Sequence, residues 1–280
     1  MEVEERIRAR RGDLSPAERR VADLVLADPH ALAFGTVASV AAAAGAGAGS
    51  VVRFATRLGF DGFAALQDAM RADLRAGGER AASRIRAPQS DDVLVVAAER
   101  AADAVRETFG RIDPDRFERA VRVLADRAHP VHVLAADASH GVGEQFATEL
   151  AMVRPGVSVL GGTPVAVARS VALLEAKATV VVLDLPRYDA WLLDATAAAR
   201  AAGVRIVAVT GSELSPLAEG AEVVLTVASS AAGPFDSHVA ALAVFEALVA
   251  GVARRLRRSA TDRLERIESA WHAAYALRDH

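Results

Sequence analysis

The sequence predicts an all-α domain followed by an α/β three-layer sandwich with a parallel sheet. Residues 13–75 contain short helical patterns separated by Gly and Pro, and they lack the alternating β-branched runs that mark strands. Beyond about residue 130, apolar runs of strand length alternate with helical segments. This alternation is typical of strand–helix–strand units that surround a buried parallel sheet.

The first part of the chain has the pattern of a helix-turn-helix. Ser15 is placed to cap a first helix, with Pro16 at its first position and Glu18 completing a capping box. A second helix is predicted over about 36–44 and a third over about 48–58. The short glycine-rich turn between these two helices is typical of the motif.

The third helix divides into two faces when residues are placed 100° apart. Its apolar face consists of Val51, Phe54, Ala55 and Leu58. Ser50, Arg53 and Arg57 lie on another side, and we predict that these three contact DNA, because arginines reach guanine edges and phosphates in the major groove. The same division also fits a small helical bundle with a solvated arginine face.

A change of composition at 75–91, where Gly, Ser and Pro accumulate, predicts a junction between domains. We therefore expect a helix-turn-helix domain at 1–77, a linker and connecting helix at 78–112, an α/β domain at 113–258 and a helical tail at 259–280. Leu264, Ile267, Trp271 and Tyr275 recur at helical spacing in the tail. This pattern predicts that the tail packs on its own subunit or on a partner.

The α/β domain is predicted to contain five strands and six helical segments. The strands span about 131–136, 158–160, 179–183, 205–210 and 222–227; the helical segments span about 115–127, 143–152, 164–174, 190–202, 215–218 and 237–256. Ligands of such sheets bind beyond the carboxyl ends of the strands. That rule points to the loops at 137–143, 161–163, 184–189 and 211–216.

The composition of the chain excludes several classes of function. The chain has 280 residues, of which 52% are hydrophobic, with a net charge of -3 and no cysteine. Disulfides, thiolate metal sites and cysteine nucleophiles are therefore excluded, and the chain is not a polycation that coats nucleic acid. Its apolar runs are shorter than the roughly 20 residues that cross a bilayer. We expect a cytoplasmic protein without a signal peptide or membrane anchor.

Two strings in the first part carry a family resemblance, LSPAER at 14–19 and VVRFATRLGFDGF at 51–63. They resemble the N-terminal helix-turn-helix of the RpiR family of bacterial transcription regulators. Residues 115–255 are similar to the sugar isomerase (SIS) domain, the phosphosugar-binding module of the same regulators, notably in DLPRY at 184–188 and AAGVRIVAVT at 201–210. The resemblance implies an SIS-like fold of flavodoxin-like topology and a carbohydrate-derived effector.

The SIS resemblance also implies where the effector binds. The candidate effector-binding residues are Ser139, His140, Arg187, Tyr188 and Ser237. Other readings stay open: Ser139 and Ser237 equally suit helix caps, and Arg187 and Tyr188 equally suit a surface turn. The resemblance implies a sugar phosphate or a related carbohydrate derivative. The negative charge of Asp184 opposes a phosphate, so an acid, a non-phosphorylated sugar derivative or the absence of any ligand also stays open.

The sequence therefore predicts a transcription regulator, not an enzyme, and we assign no catalytic residues. Residues 1–75 hold ten arginines and ten acidic residues, so one copy binds DNA weakly and we expect a homodimer or homotetramer on a palindromic operator. The alternatives are a sugar-phosphate isomerase, in which His140, Glu144 or Glu149 supplies a base, and a regulator whose SIS domain has lost its effector. The histidines are scattered and no complete nucleotide-binding motif is present, so we expect no metal and no cofactor.

Overall fold

A computed structural model describes residues 2–76, 84–85, 92–186, 188–213 and 215–274. The chain forms two compact units. Unit 1 comprises Met1–Ala97, Ser212–Glu219 and Ala231–Phe235, and unit 2 comprises Ala98–Gly211, Gly220–Ser230 and Asp236–His280. The junction predicted from composition falls mostly on residues outside the described ones, so the predicted boundaries remain predictions.

Within the described residues up to Ala76, six helices build the N-terminal part. They are α1 (Glu2–Arg10), α2 (Pro16–Ala27), α3 (Pro29–Phe34), α4 (Val37–Ala43), α5 (Ala48–Arg57) and α6 (Phe63–Ala76), with a 3-10 turn at Arg11–Asp13. The predictions of α2, α4 and α5 are confirmed, and the capping box of Ser15 and Glu18 is formed as expected. We did not predict α1, in which only Val3 and Ile7 are buried apolar residues, or α3, which is too short for a periodic pattern.

Most of the described chain from Val93 onward is an α/β domain with its accompanying helices. Its helices are α7 (Val93–Arg111), α8 (Pro114–Ala125), α9 (His140–Val153), α10 (Pro164–Ala172), α11 (Ala190–Ala201), α12 (Val239–Arg255) and α13 (Arg257–Ala273). Its strands are β1 (Val131–Ala135), β2 (Val157–Val159), β3 (Thr179–Asp184), β4 (Arg205–Thr210) and β5 (Val223–Thr226). Short 3-10 turns lie at Asp137–Ser139 and Pro216–Ala218.

All five strands of this sheet run parallel in the order β2-β1-β3-β4-β5. This order confirms the predicted α/β fold of flavodoxin-like topology. β3 lies at the centre and is buried along its whole length. One face of the sheet packs against α8, α9 and α12, where the rings of Phe146 and Phe245 stack with their centroids 4.2 Å apart. The opposite face is covered by α10 and α11, which pack against each other.

Glycine and arginine make two packing contacts that the sequence patterns do not reveal. A Cβ atom on Gly143 would lie 2.8 Å from the Cβ of Ala135, so α9 approaches β1 only because position 143 has no side chain. Arg154 is 1% exposed, and its guanidinium donates to the carbonyl oxygens of Leu124, His129 and Pro155. Every nitrogen of this buried cation is therefore used to join the ends of neighbouring elements.

The predicted C-terminal helix is confirmed as α13, in which Leu264 packs against the core of the sheet domain and Ile267 and Trp271 are half-buried. Tyr275 lies outside the described residues. Within the described residues, no single helix is long and apolar enough to cross a membrane; α4 and α5 satisfy length and composition only as a pair, bent by 99°.

Candidate functional site

The first candidate site is the outward face of α5. α4 and α5 cross at 99° and are joined by a tight turn. Gly45 adopts a left-handed φ of 57°, and the amides of Gly45 and Ala46 donate to the carbonyls of Ala42 and Ala41, which ends α4 in a Schellman motif. A helix pair at about 90–120° with such a turn has the geometry of a helix-turn-helix.

The burial of α5 agrees only in part with the predicted faces. Val51, Phe54, Ala55 and Leu58 are fully buried, as expected. The expectation that Ser50 faces outward is wrong: it is 7% exposed, and its hydroxyl accepts a hydrogen bond of 3.1 Å from Nη2 of Arg53. Ser50 precedes Phe54 by about one turn, so it lies at the edge of the buried face. Its hydrogen bond holds the guanidinium of Arg53 near the first turn of α5.

Arg57 is exposed but points back into its own domain. Its Nη1 donates to the carbonyl of Asp13 at 3.0 Å, and its Nε lies 3.4 Å from a carboxylate oxygen of Glu18, which is buried. Burial by itself raises the pKa of Glu18, but hydrogen bonds from Ser15 and the charges of Arg57 and Arg53 outweigh it and lower the pKa overall. Arg57 therefore holds α5 against the start of α2.

The exposed positions of α5 include two side chains to which the sequence analysis assigned no role. Val52 is 42% exposed, and Thr56 is exposed one turn later. They lie four residues apart, on the same side of Arg53. The 100° rule places Val52 and Thr56 on the same side of α5, and this spacing was the only signal of the pair in the sequence.

The second candidate site lies at the carboxyl edge of the sheet. Ser139, 1% exposed, precedes α9 without capping it through its side chain; its hydroxyl instead lies 2.9 Å from Nε2 of His238. His238 precedes α12, and burial lowers its pKa although the charge of Asp236 partly offsets this. Ser237 accepts a hydrogen bond of 3.3 Å from the Val239 amide, but the N-cap position of α12 is His238, not Ser237. The hydrogen bond between Ser139 and His238 thus joins the first loop, the segment between β1 and α9, to the start of α12.

The end of the central strand carries a buried carboxyl group. Asp184 is 5% exposed, and its two oxygens accept hydrogen bonds from the amides of Leu185 and Asp189. Burial, together with the negative charge of Asp189, raises the pKa of Asp184 to about 7. The carboxylate of Asp189 in turn accepts a hydrogen bond of 3.0 Å from the Asp137 amide in the first loop.

The remaining predicted effector residues differ in their surroundings. The hydroxyl of Tyr188 lies 3.2 Å from Oγ1 of Thr210, which ends β4. His140 is exposed and pairs with Glu144 on α9 across 3.2 Å. Arg187 lies outside the described residues. Sequence reasoning missed Asp189 and Thr210, because their roles depend on strands and loops that are distant in the chain. Among the described residues, no group of three or more His, Asp or Glu residues could hold a metal ion.

Two family models match the chain. Residues 1–77 match the helix-turn-helix domain of the rpiR family, and residues 126–251 match the SIS domain. An uncharacterised HTH-type transcriptional regulator of Bacillus subtilis (strain 168), YbbH, is 24% identical over 271 residues, covering 94% of this chain and 95% of the relative. A second such regulator, from Haemophilus influenzae, is 25% identical and covers 76% of this chain and 75% of its own length.

Two solved structures share the fold of this chain. The Vibrio vulnificus NanR protein, solved in complex with ManNAc-6P, superposes with a TM-score of 0.64 at 20% identity and covers 97% of this chain and 98% of its own. The sugar isomerase domain of an RpiR transcription factor from Sphaerobacter thermophilus gives a TM-score of 0.57 at 26% identity, covering 62% of this chain and 97% of its own.

Proposed function

The chain belongs to the RpiR family, in which a helix-turn-helix domain is joined to a SIS domain, and from this premise we propose that it binds operator DNA through α5 under the control of a carbohydrate-derived effector. Its curated relatives are named transcriptional regulators. The observation that carries the proposal is the geometry of α4 and α5, which leaves one face of α5 exposed beside Arg53.

The proposed DNA contact is local. Ten arginines and ten acidic residues balance in residues 1–75, so nonspecific attraction to phosphates is weak. Arg53 lies on the exposed face of α5. Arg57 instead contacts Asp13 and Glu18 within its own domain. Two copies of the domain on a palindromic operator double the number of contacts, and we propose a homodimer or homotetramer as the binding form.

We propose that the effector binds at the carboxyl edge of the sheet, in contact with the loops that hold Ser139, His140, Arg187, Tyr188 and Ser237. The Vibrio vulnificus protein of the same fold is a complex with ManNAc-6P, which supports a sugar-derived ligand here. An effector changes operator affinity only if it binds the DNA-competent arrangement with a different affinity, and such coupling is typically about 1–3 kcal/mol.

An isomerase activity is the less supported alternative. The candidate base His140 is paired with Glu144 on an exposed helix surface, so neither group is held in a water-excluded pocket. We therefore propose a regulator without catalytic function. Turnover of aldose or ketose phosphates by the purified chain would contradict this part of the proposal.

The first experiment selects duplexes from a random-sequence library with the full-length chain and measures their binding by fluorescence anisotropy at fixed salt. Arg53→Ala should weaken binding at least tenfold, about the effect of losing one base or phosphate contact. The matched control Arg122→Ala, at an exposed position of α8, should leave binding unchanged. Failure to enrich any duplex would overturn DNA recognition.

The second experiment adds sugar phosphates, sugar acids and neutral sugars to the selected complex. A ligand that shifts operator affinity, and whose effect is lost in Ser139→Ala, would support the effector site. If the wild type binds DNA but none of these compounds changes its affinity, the control by an effector is wrong and the SIS domain serves assembly alone.

A further inference from the structure

The outward face of α5 carries an apolar side chain that its own domain does not cover. Val52 is 42% exposed, although the other large apolar residues of the helix, Val51 and Phe54, are completely buried. The neighbouring cation does not shield it. Arg53 extends toward the first turn of α5, where Nη2 binds Ser50 and Nη1 would lie 3.2 Å from a Cβ atom on Gly49.

Thr56 extends this apolar surface by one helical turn. Its hydroxyl donates to the carbonyl of Arg53 at 2.9 Å and lies 3.4 Å from the carbonyl of Val52. The hydroxyl hydrogen is therefore used within the helix, and Thr56 as a whole is exposed, so its methyl group is the part of the side chain left for a partner. Val52 and Thr56 are four residues apart, or about 6 Å along the helix axis, which matches about two base-pair steps of about 3.4 Å.

We propose that Val52 and Thr56 read thymine in the operator, by packing their methyl groups against the thymine 5-methyl group in the major groove. This inference rests on the proposed DNA-binding function and deepens it. Thymine is the base that presents a methyl group in that groove, so an uncovered aliphatic side chain on an inserted helix discriminates A·T from G·C pairs without a hydrogen bond. Arg53 beside it supplies the charge complementarity that favours DNA over an apolar protein partner.

The test replaces thymine by uracil, one position at a time, in the duplex selected from the random library. Uracil lacks the 5-methyl group and keeps the hydrogen-bonding edge. We expect the wild-type chain to lose about fourfold in affinity at one or two positions of each half-site, the factor that corresponds to one buried methyl group. All other thymine positions should be insensitive.

Two variants assign each position to its residue. Val52→Ala removes two methyl groups from an exposed site, and Thr56→Ser removes one methyl group while keeping the hydroxyl bond to the Arg53 carbonyl. Each variant should bind the thymine duplex more weakly and should lose its sensitivity to uracil at one position only. Val165→Ala on α10 replaces another exposed valine, at 79% exposure, and should behave as the wild type.

The outcomes separate this inference from the proposed function. If no duplex is enriched, both the DNA-binding proposal and the thymine reading fail. A second outcome is that a duplex is enriched and Arg53→Ala weakens its binding, but replacing thymine by uracil changes the affinity at no position. In that case only the proposal that Val52 and Thr56 recognise thymine is overturned. A uracil penalty that persists unchanged in Val52→Ala and Thr56→Ser also overturns it. A change of oligomeric state in Val52→Ala, without any uracil effect in the wild type, would assign Val52 to a contact between copies instead.

Discussion

The buried carboxyl group of Asp184 predicts an unusual dependence of stability on pH. Its pKa is raised from the ordinary value of 3.8 to about 7 because it lies at the buried end of β3. A carboxyl group that binds its proton more tightly in the folded state stabilises the fold at low pH. This contribution is fully present below the unfolded pKa of about 4 and is lost as the pH rises through 7.

The size of the effect follows from the shift of the pKa. Three units at about 1.4 kcal/mol each give about 4 kcal/mol between the two limits, of which about 2.5 kcal/mol falls between pH 5 and pH 8. Asp184→Asn removes this dependence because an amide does not ionise. The side-chain NH₂ group of the new Asn would face the backbone N–H of Leu185 or Asp189, so two donors would oppose each other. This destabilises the fold by about 1–3 kcal/mol at every pH.

The assay is urea unfolding followed by tryptophan fluorescence at pH 5 and pH 8. Both tryptophans of the chain, Trp191 and Trp271, lie on helices of the sheet domain, so the signal reports that domain. From pH 5 to pH 8, Asp184→Asn should gain about 2.5 kcal/mol in free energy of unfolding relative to the wild type. The exposed control Asp194→Asn should track the wild type. Parallel profiles for Asp184→Asn and the wild type would refute the argument that burial sets this pKa.

Three further predictions test packing and charge. Gly143→Ala should destabilise the sheet domain by about 1–3 kcal/mol in urea unfolding, because its Cβ meets Ala135 at 2.8 Å, whereas Gly141→Ala, with nothing within 4 Å, should stabilise it by up to about 1 kcal/mol; equal effects would contradict the close approach. Arg154→Leu should cost about 3 kcal/mol by leaving buried carbonyl groups without donors, and a melting temperature equal to that of the wild type would disprove this role. The lowered pKa of Glu18 means that its stabilisation of the helical domain is present above about pH 4.5 and is lost as the pH falls below it; Glu18→Gln should flatten that acid limb in circular dichroism.

Local patterns carried the prediction of the secondary structure. The capping box of Ser15 and Glu18 involves residues three apart, and the buried side of α5 follows from the angle between successive residues. The strands were recognisable because a central parallel strand is buried on both faces and is therefore apolar throughout, apart from its ends. α3 was not predicted because its six residues make less than two helical turns, which is too short for a periodic pattern.

Several contacts of the candidate sites depend instead on residues far apart in the chain. The hydrogen bond between Ser139 and His238 spans 99 residues, and the contact of Arg57 with the carbonyl of Asp13 spans 44. Spacing along one helix placed Ser50 and Arg57 on the same outward face, but packing buried the first and turned the second toward α2. The side of a helix on which a side chain lies follows from its position in the sequence. Its solvent exposure depends on which other elements the fold packs against that side.

The sequence by itself thus determined the two kinds of fold, their order and the buried side of each main element, because these follow from short-range periodicity and capping chemistry. The tertiary structure alone decided which polar groups are available. It used Arg57, Arg154 and Ser139 in internal contacts, left Val52 uncovered, and buried Asp184 at the centre of the sheet edge. The physical reason is that desolvation and hydrogen bonding depend on neighbours in space, which the spacing of residues along one element does not specify.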